Sequence, residues 1–258
     1  MKLFFREYGH GSPMIILHGL FGMSDNWVTL ARLFADELNM RIIIPDQRNH
    51  GKSPHHPVFN YHAMVDDLAE LYEELQLTSA VILGHSMGGK VAMHFALDYP
   101  VNVDKLIVVD ISPVTYNTWR HAFLLEVMSN LDFNLLKTKK DVEKELLEQV
   151  NDKRLSSFML KNIMNISRDK LGWKLNIEAL KLNLEEVFRF EPTGTMFSKP
   201  VMWLKGELSD YIKTEHQMQM YSYFPETTLK VISNSSHWLH AEQPEDFFQS
   251  VVTWLKND

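Results

Sequence analysis

A succession of short, uninterrupted apolar runs constrains this chain more than anything else in it. They are Met14-Ile15-Ile16-Leu17, Arg41-Ile42-Ile43-Ile44, Ala80-Val81-Ile82-Leu83, Lys105-Leu106-Ile107-Val108-Val109, Val201-Met202-Trp203-Leu204 and Leu229-Lys230-Val231-Ile232. None alternates with polar residues, so each reads as a strand covered on both faces. Amphipathic stretches lie between them: Trp27 to Leu38, Tyr61 to Leu75, Met87 to Leu97 and Pro244 to Leu255. Strands alternating with helices predict an α/β fold with a mostly parallel central sheet flanked by helices. Pro244 suits a first helical position, where its missing N–H costs nothing.

One interval breaks the rhythm. From Tyr116 to Phe190 no strand-like run appears, and Leu124, Val127, Met128 and Leu131 recur at helical spacing, as do Leu146, Leu147 and Val150. We therefore expect a core domain built from residues 1–115 and 191–258, with a helical cap over 116–190 inserted between two strands of the sheet. Length allows this: 258 residues bury a large core as one α/β unit or two smaller ones.

Composition removes several functions. The net charge of −7 gives no basic field for a phosphate backbone, so no nucleic-acid partner is expected. The basic run Lys137–Lys140 leads directly into Asp141, Glu143 and Glu145 and reads as a solvated helix face. With no cysteine, disulfides, thiolate metal sites and a cysteine nucleophile are excluded. The opening residues turn charged after three apolar ones, too few for a signal peptide, and no stretch approaches the ~20 apolar residues that span a bilayer. A soluble cytoplasmic protein is the expectation.

The chemistry centres on Gly84-His85-Ser86-Met87-Gly88-Gly89, which follows one apolar run and opens a helical stretch. A G-x-S-x-G sequence between strand and helix is the context of a nucleophile elbow. Outside that context it would be only a glycine-rich turn. Gly84 and Gly88 permit the sharp bend, and Ser86 is lifted to the helix N-terminus, where developing negative charge is favoured.

A serine hydroxyl needs a base, and in sheets carrying such elbows the chain order is serine, acid, histidine. His237 follows the last apolar run and precedes the last helix, at the strand end that Ser86 shares. His240 is a rival closer to the helix. His237 and His240 could also be half of a metal site, but no partners at suitable spacing complete it. For the acid, two residues compete. Asp110 ends the run Lys105–Val109, where a buried carboxylate without a partner would be costly. Asp210 lies in Gly206-Glu207-Leu208-Ser209-Asp210, one residue beyond the usual acid position, which Ser209 occupies. Asp110 ranks first on placement, with Asp210 the alternative. The backbone N–H groups of Leu20, in His18-Gly19-Leu20-Phe21-Gly22, and of Met87 are the expected oxyanion donors, with His18 ordering the loop.

These motifs together resemble α/β-hydrolase-fold serine esterases over nearly the whole chain. The similarity is greatest to a small branch holding a compact bacterial esterase and mitochondrial abhydrolase-domain proteins. It is carried by His18–Gly22, Gly84–Lys90, His237-Trp238, Asp46-Gln47-Arg48-Asn49-His50-Gly51-Lys52-Ser53-Pro54 and Asp110-Ile111-Ser112-Pro113-Val114. The last two are the more restricted. The resemblance implies Asp110 as the acid, short acyl esters as small-molecule substrates, and neither metal nor organic cofactor. A carboxylesterase is the expected function, with Trp119, Phe123, Phe158 and Trp173 available to line an acyl pocket. Thioester hydrolysis, perhydrolysis and carbon–carbon cleavage use the same three residues, and a low-turnover ligand-binding signalling protein would keep the same pocket. Oligomeric state and pathway have no signature in the sequence.

Overall fold

The apolar runs assemble into one seven-stranded sheet of order β1-β3-β2-β4-β5-β8-β9 in a computed structural model that describes residues 1–168, 170–194 and 196–257. The strands are β1 (Phe5–Tyr8), β2 (Ser12–Leu17), β3 (Met40–Pro45), β4 (Ala80–His85), β5 (Val103–Val109), β8 (Val201–Gly206) and β9 (Thr227–Ile232). All neighbours are parallel except β1, which runs antiparallel along the β3 edge. Strand β1 is too short and too polar to have been found by its apolar content.

Alternate residues of each central strand enter opposite layers, as the two-residue period requires. Ile15, Leu17, Ile82, Leu106 and Val108 pack under helices α2 (Tyr61–Glu74) and α3 (Met87–Asp98). Met14, Ile16, Leu83, Ile107 and Val109 pack on the other side with residues of α1 (Val28–Leu38) and the C-terminal helix. Two-sided burial is why these strands lack polar alternation.

Between β5 and β8 the chain forms α4 (Trp119–Ser129), α5 (Lys139–Val150), α6 (Lys153–Leu160), α7 (Ile177–Leu182) and α8 (Leu184–Phe188). The expectation of helices alone is corrected here: Ile163–Ser167 (β6) and Lys170–Trp173 (β7) form an antiparallel hairpin. Most of β6 is exposed, so no continuous apolar run announces it. After β8 come α9 (Gln217–Tyr223), α10 (Leu239–Glu242) and α11 (Pro244–Lys256), the last opening on Pro244.

The inserted segment is fastened to the sheet layers at its C-terminal end. Tyr61 Oη donates to the Val187 carbonyl, and the buried Lys90 Nζ donates to the carbonyls of Phe188 (2.7 Å) and Arg189 (2.9 Å). An ammonium beside helix-end carbonyls is a favourable C-cap, and the Tyr116 and Tyr61 rings face it at 5.0 and 5.8 Å. Lys90 has no carboxylate partner among the described residues, and burial lowers its pKa from 10.5 to about 7.

This gives a stability test. Between about pH 7 and 10.5 the unfolded chain holds a proton on Lys90 that the folded chain has released, so this residue makes stability rise with pH across that window. Urea midpoints of wild type and Lys90→Met at pH 7 and pH 9 should diverge in favour of wild type at the higher pH. A gap independent of pH would contradict it.

Candidate active site

Ser86 sits between the end of β4 and the first residue of α3 with φ 53° and ψ −119°. For a residue with a side chain this is a strained conformation, costing of order 1–3 kcal/mol. It is held by the Ser86 N–H, which donates to the Val109 carbonyl (3.0 Å), and by the Ser86 carbonyl, which accepts from the Lys90 N–H (3.1 Å). The two flanking glycines make the bend sterically feasible. A Cβ on Gly84 would lie 2.3 Å from the Gly88 carbonyl oxygen, and one on Gly88 would lie 2.3 Å from the Leu17 carbonyl oxygen. Helix α3 thus starts against the end of β2, and Ser86 lines a cavity above the sheet.

His237 lines the same cavity from the loop after β9. Its Nδ1–H donates to Asp110 Oδ2 at 2.8 Å, which leaves Nε2 without the proton in the neutral ring. Asp110 is fully buried. Its Oδ1 accepts from the Gly206 N–H at 3.0 Å, and its Oδ2 also accepts from Ser209 Oγ. The parallel register that pairs Val109 with Leu204 brings the ends of β5 and β8 side by side, so the carboxylate reaches this second strand end. Asp210 is exposed and borders the same cavity, but the carboxylate that His237 Nδ1 bonds is that of Asp110. His240 is separated from the carboxylate as well: its buried ring stacks on Trp27 (centroids 4.3 Å, interplanar angle 10°), and burial lowers its pKa to about 3.

Leu20 lines the cavity, and Met87 supplies the first amide of α3, where helical N–H groups have no intrahelical acceptor. The Leu20 loop is braced by the turn after β3. The Gln47 N–H donates to His18 Nε2 (3.0 Å), and the Phe21 N–H donates to His50 Nε2 (3.2 Å). With Nε2 accepting, each ring carries its proton on Nδ1, which faces the Gly19 and Arg48 carbonyls respectively at 2.9 Å. Burial lowers both pKa values, that of His50 to about 3, so the braces stay neutral. His18 therefore orders the loop as expected.

The cavity has a volume of about 440 Å³. Its apolar walls include Phe21, Leu124, Leu155, Phe158 and Trp238. Of the four aromatic residues expected at the pocket, Phe158 alone lines it. Trp119 and Phe123 are 71% and 48% exposed on the outer face of α4, while Trp173 borders a separate surface groove beside Phe133. Helix α4 buries Leu124, Leu125, Val127 and Met128, while Trp119 and Phe123, four apart in its first two turns and both exposed, lie together on one side of its N-terminal half.

Sequence reasoning missed four contributors. Gln47 and His50 lie in a motif noted without a role, and their placement needs the β2–β3 adjacency. Tyr211 stacks on the His237 ring at 4.0 Å, with no local signal to announce it. His85, inside the elbow itself, donates from Nε2 to the His237 carbonyl at 2.9 Å.

A serine at a strand-to-helix turn and a histidine bonded to a buried carboxylate line one cavity, an arrangement of residue types that recurs on several folds. Here the α/β hydrolase fold pattern matches residues 12–244, and the chain belongs to that family. It is 35% identical over 253 residues to the sn-1-specific diacylglycerol lipase ABHD11 of Danio rerio, covering 96% of this chain and 80% of that protein. It is 30% identical to Esterase YbfF of Escherichia coli (strain K12), covering 96% and 94% of the two chains. Among solved structures, a marine microorganism esterase matches with a TM-score of 0.93 and 38% identity, covering 98% of each chain. No helix among the described residues is long and apolar enough to cross a membrane.

The elbow geometry predicts that Gly88→Ala is not tolerated. Its methyl group would meet backbone of β2, and overpacking of this kind costs about 1–3 kcal/mol. A thermal melt should show a clear loss of stability together with loss of activity; an unchanged melt would contradict the close approach.

Proposed function

We propose that this protein is a serine carboxylesterase that hydrolyses short acyl esters through an acyl-enzyme, with Ser86 as nucleophile, His237 as base and Asp110 as the acid. The observation that carries the reading is the 2.8 Å bond from His237 Nδ1 to the buried Asp110 carboxylate, made on the cavity that Ser86 lines. Membership of the α/β hydrolase fold family and similarity to proteins named as esterases and lipases support the same ester-bond hydrolase.

In the proposed sequence His237 Nε2 takes the Ser86 hydroxyl proton as Oγ attacks the ester carbonyl. Asp110 fixes the imidazole tautomer and stabilises the imidazolium without taking the proton. The amides of Leu20 and Met87 stabilise the tetrahedral oxyanion, each such donor being worth about 2.7–4 kcal/mol. His237 then protonates the departing alcohol. Water repeats the steps on the acyl-serine, releasing the acid and restoring the Ser86 hydroxyl.

The segment from 116 to 190 serves as a cap in this reading, since Leu124, Leu155 and Phe158 form apolar wall above the serine. The cavity volume of about 440 Å³ falls in the lower half of the ~300–1,000 Å³ range for small-molecule sites, which suits short acyl chains.

Hydrolysis of 4-nitrophenyl acetate tests the assignment. Ser86→Ala should reduce kcat by about 10⁶-fold, as nucleophile removal does elsewhere. Asp110→Asn should reduce it on the order of 10⁴-fold through the wrong tautomer, whereas Asp210→Asn should leave a rate close to wild type. Equal rates for wild type and Ser86→Ala would overturn the esterase reading. A larger loss in Asp210→Asn than in Asp110→Asn would reverse the acid assignment.

A further inference from the structure

We propose that His85 is a positioning residue that sets the distance between nucleophile and base by gripping the main chain of His237. The inference rests on the hydrolase reading above. His85 is covalently joined to Ser86, and its Nε2–H donates to the His237 carbonyl at 2.9 Å. One side chain therefore spans directly from the nucleophile's backbone to the base's backbone, independently of Asp110.

Besides the Asp110 and Tyr211 contacts of the His237 ring, other anchors of the loop lie on either side of this residue. The Asn234 N–H donates to Glu207 Oε2 (2.8 Å), the Leu208 N–H to the Ser235 carbonyl (2.8 Å), and Ser236 Oγ to Glu242 Oε1 (2.5 Å). These hold the loop to the turn after β8 and to α10. Among the described residues, the His85 bond is the hydrogen bond that ties it to the elbow.

The environment of His85 suits a fixed donor. Its ring is buried, with the His237 ring at 4.8 Å, the His240 ring at 4.6 Å and the Trp27 ring at 6.3 Å. Burial, with the nearby His240, His237 and His18, lowers its pKa well below the ordinary value. It therefore keeps a single ring proton, and the carbonyl acceptor places that proton on Nε2. His85 does not compete for the proton that Ser86 gives up.

Two substitutions separate positioning from packing. His85→Leu fills the space without a donor, and His85→Gln keeps an N–H at similar reach. With 4-nitrophenyl acetate, His85→Leu should lose kcat on the order of 10²-fold, the scale of a small misplacement of reacting groups, with KM little changed. His85→Gln should recover most of the loss. Equal losses in the two variants, a wild-type kcat in His85→Leu, or an effect confined to KM would overturn the proposal.

Imidazole ¹⁵N spectra of the wild type provide a test that needs no variant to fold. His85 should be the Nε2–H tautomer at neutral pH, because that proton is donated to the His237 carbonyl and burial penalises the charged form. An Nδ1–H tautomer would equally overturn it. Absence of any ester hydrolysis by wild type would instead overturn the underlying hydrolase reading, and this inference with it.

Discussion

A single carboxylate holds the working parts of this molecule together. Asp110 is fully buried at the end of β5, where an ionised group without partners would be strongly disfavoured. It is satisfied by the Gly206 amide, the Ser209 hydroxyl and His237 Nδ1. Those three groups come from the end of β8, the turn beyond it and the loop after β9. Folding the chain so that this charge is compensated therefore brings three strand ends into register. In the proposed chemistry the same bonds hold His237 in the tautomer a base requires.

The sheet makes this arrangement possible. Strands buried on both faces leave only their ends for polar work, and the parallel order puts those ends on one side. Ser86, Asp110 and Leu20 each follow a strand of the sheet, β4, β5 and β2 respectively, and those strands are neighbours. Strain at Ser86 is sustained because Val109, Lys90 and the close approach of Gly88 to β2 over-determine the bend. The second layer consists of neutral, buried imidazoles. His18, His50 and His85 hydrogen-bond backbone, and burial, which penalises charge, lowers the pKa of each.

Much of this was legible in the sequence, for physical reasons that also mark the limits. Continuous apolar runs reported the central strands because those strands are buried on both sides. The edge strand β1 and the hairpin β6–β7 carry polar or exposed residues and gave no such signal. Ser86 was identifiable because its strand-turn-helix context is local. The choice between Asp110 and Asp210 was open on spacing, because it depends on which strand ends lie side by side. Ser209 at the usual acid position turns out to donate to Asp110. Trp119 and Phe123 were mis-sorted because α4 is apolar on its outer as well as its inner face, so periodicity does not reveal which side meets the cavity. The contacts of Gln47, His50, His85 and Tyr211 join segments distant in sequence and required the fold.

The central claim is that Ser86 is a nucleophile activated through His237 and Asp110. It is tested most directly by reaction with a fluorophosphonate followed by mass spectrometry of the digested protein. The account predicts one phosphonate adduct, on the peptide carrying Ser86, formed rapidly in wild type and far more slowly once His237 is replaced by alanine. An adduct on another residue, or no adduct from a protein that still hydrolyses esters, would contradict it.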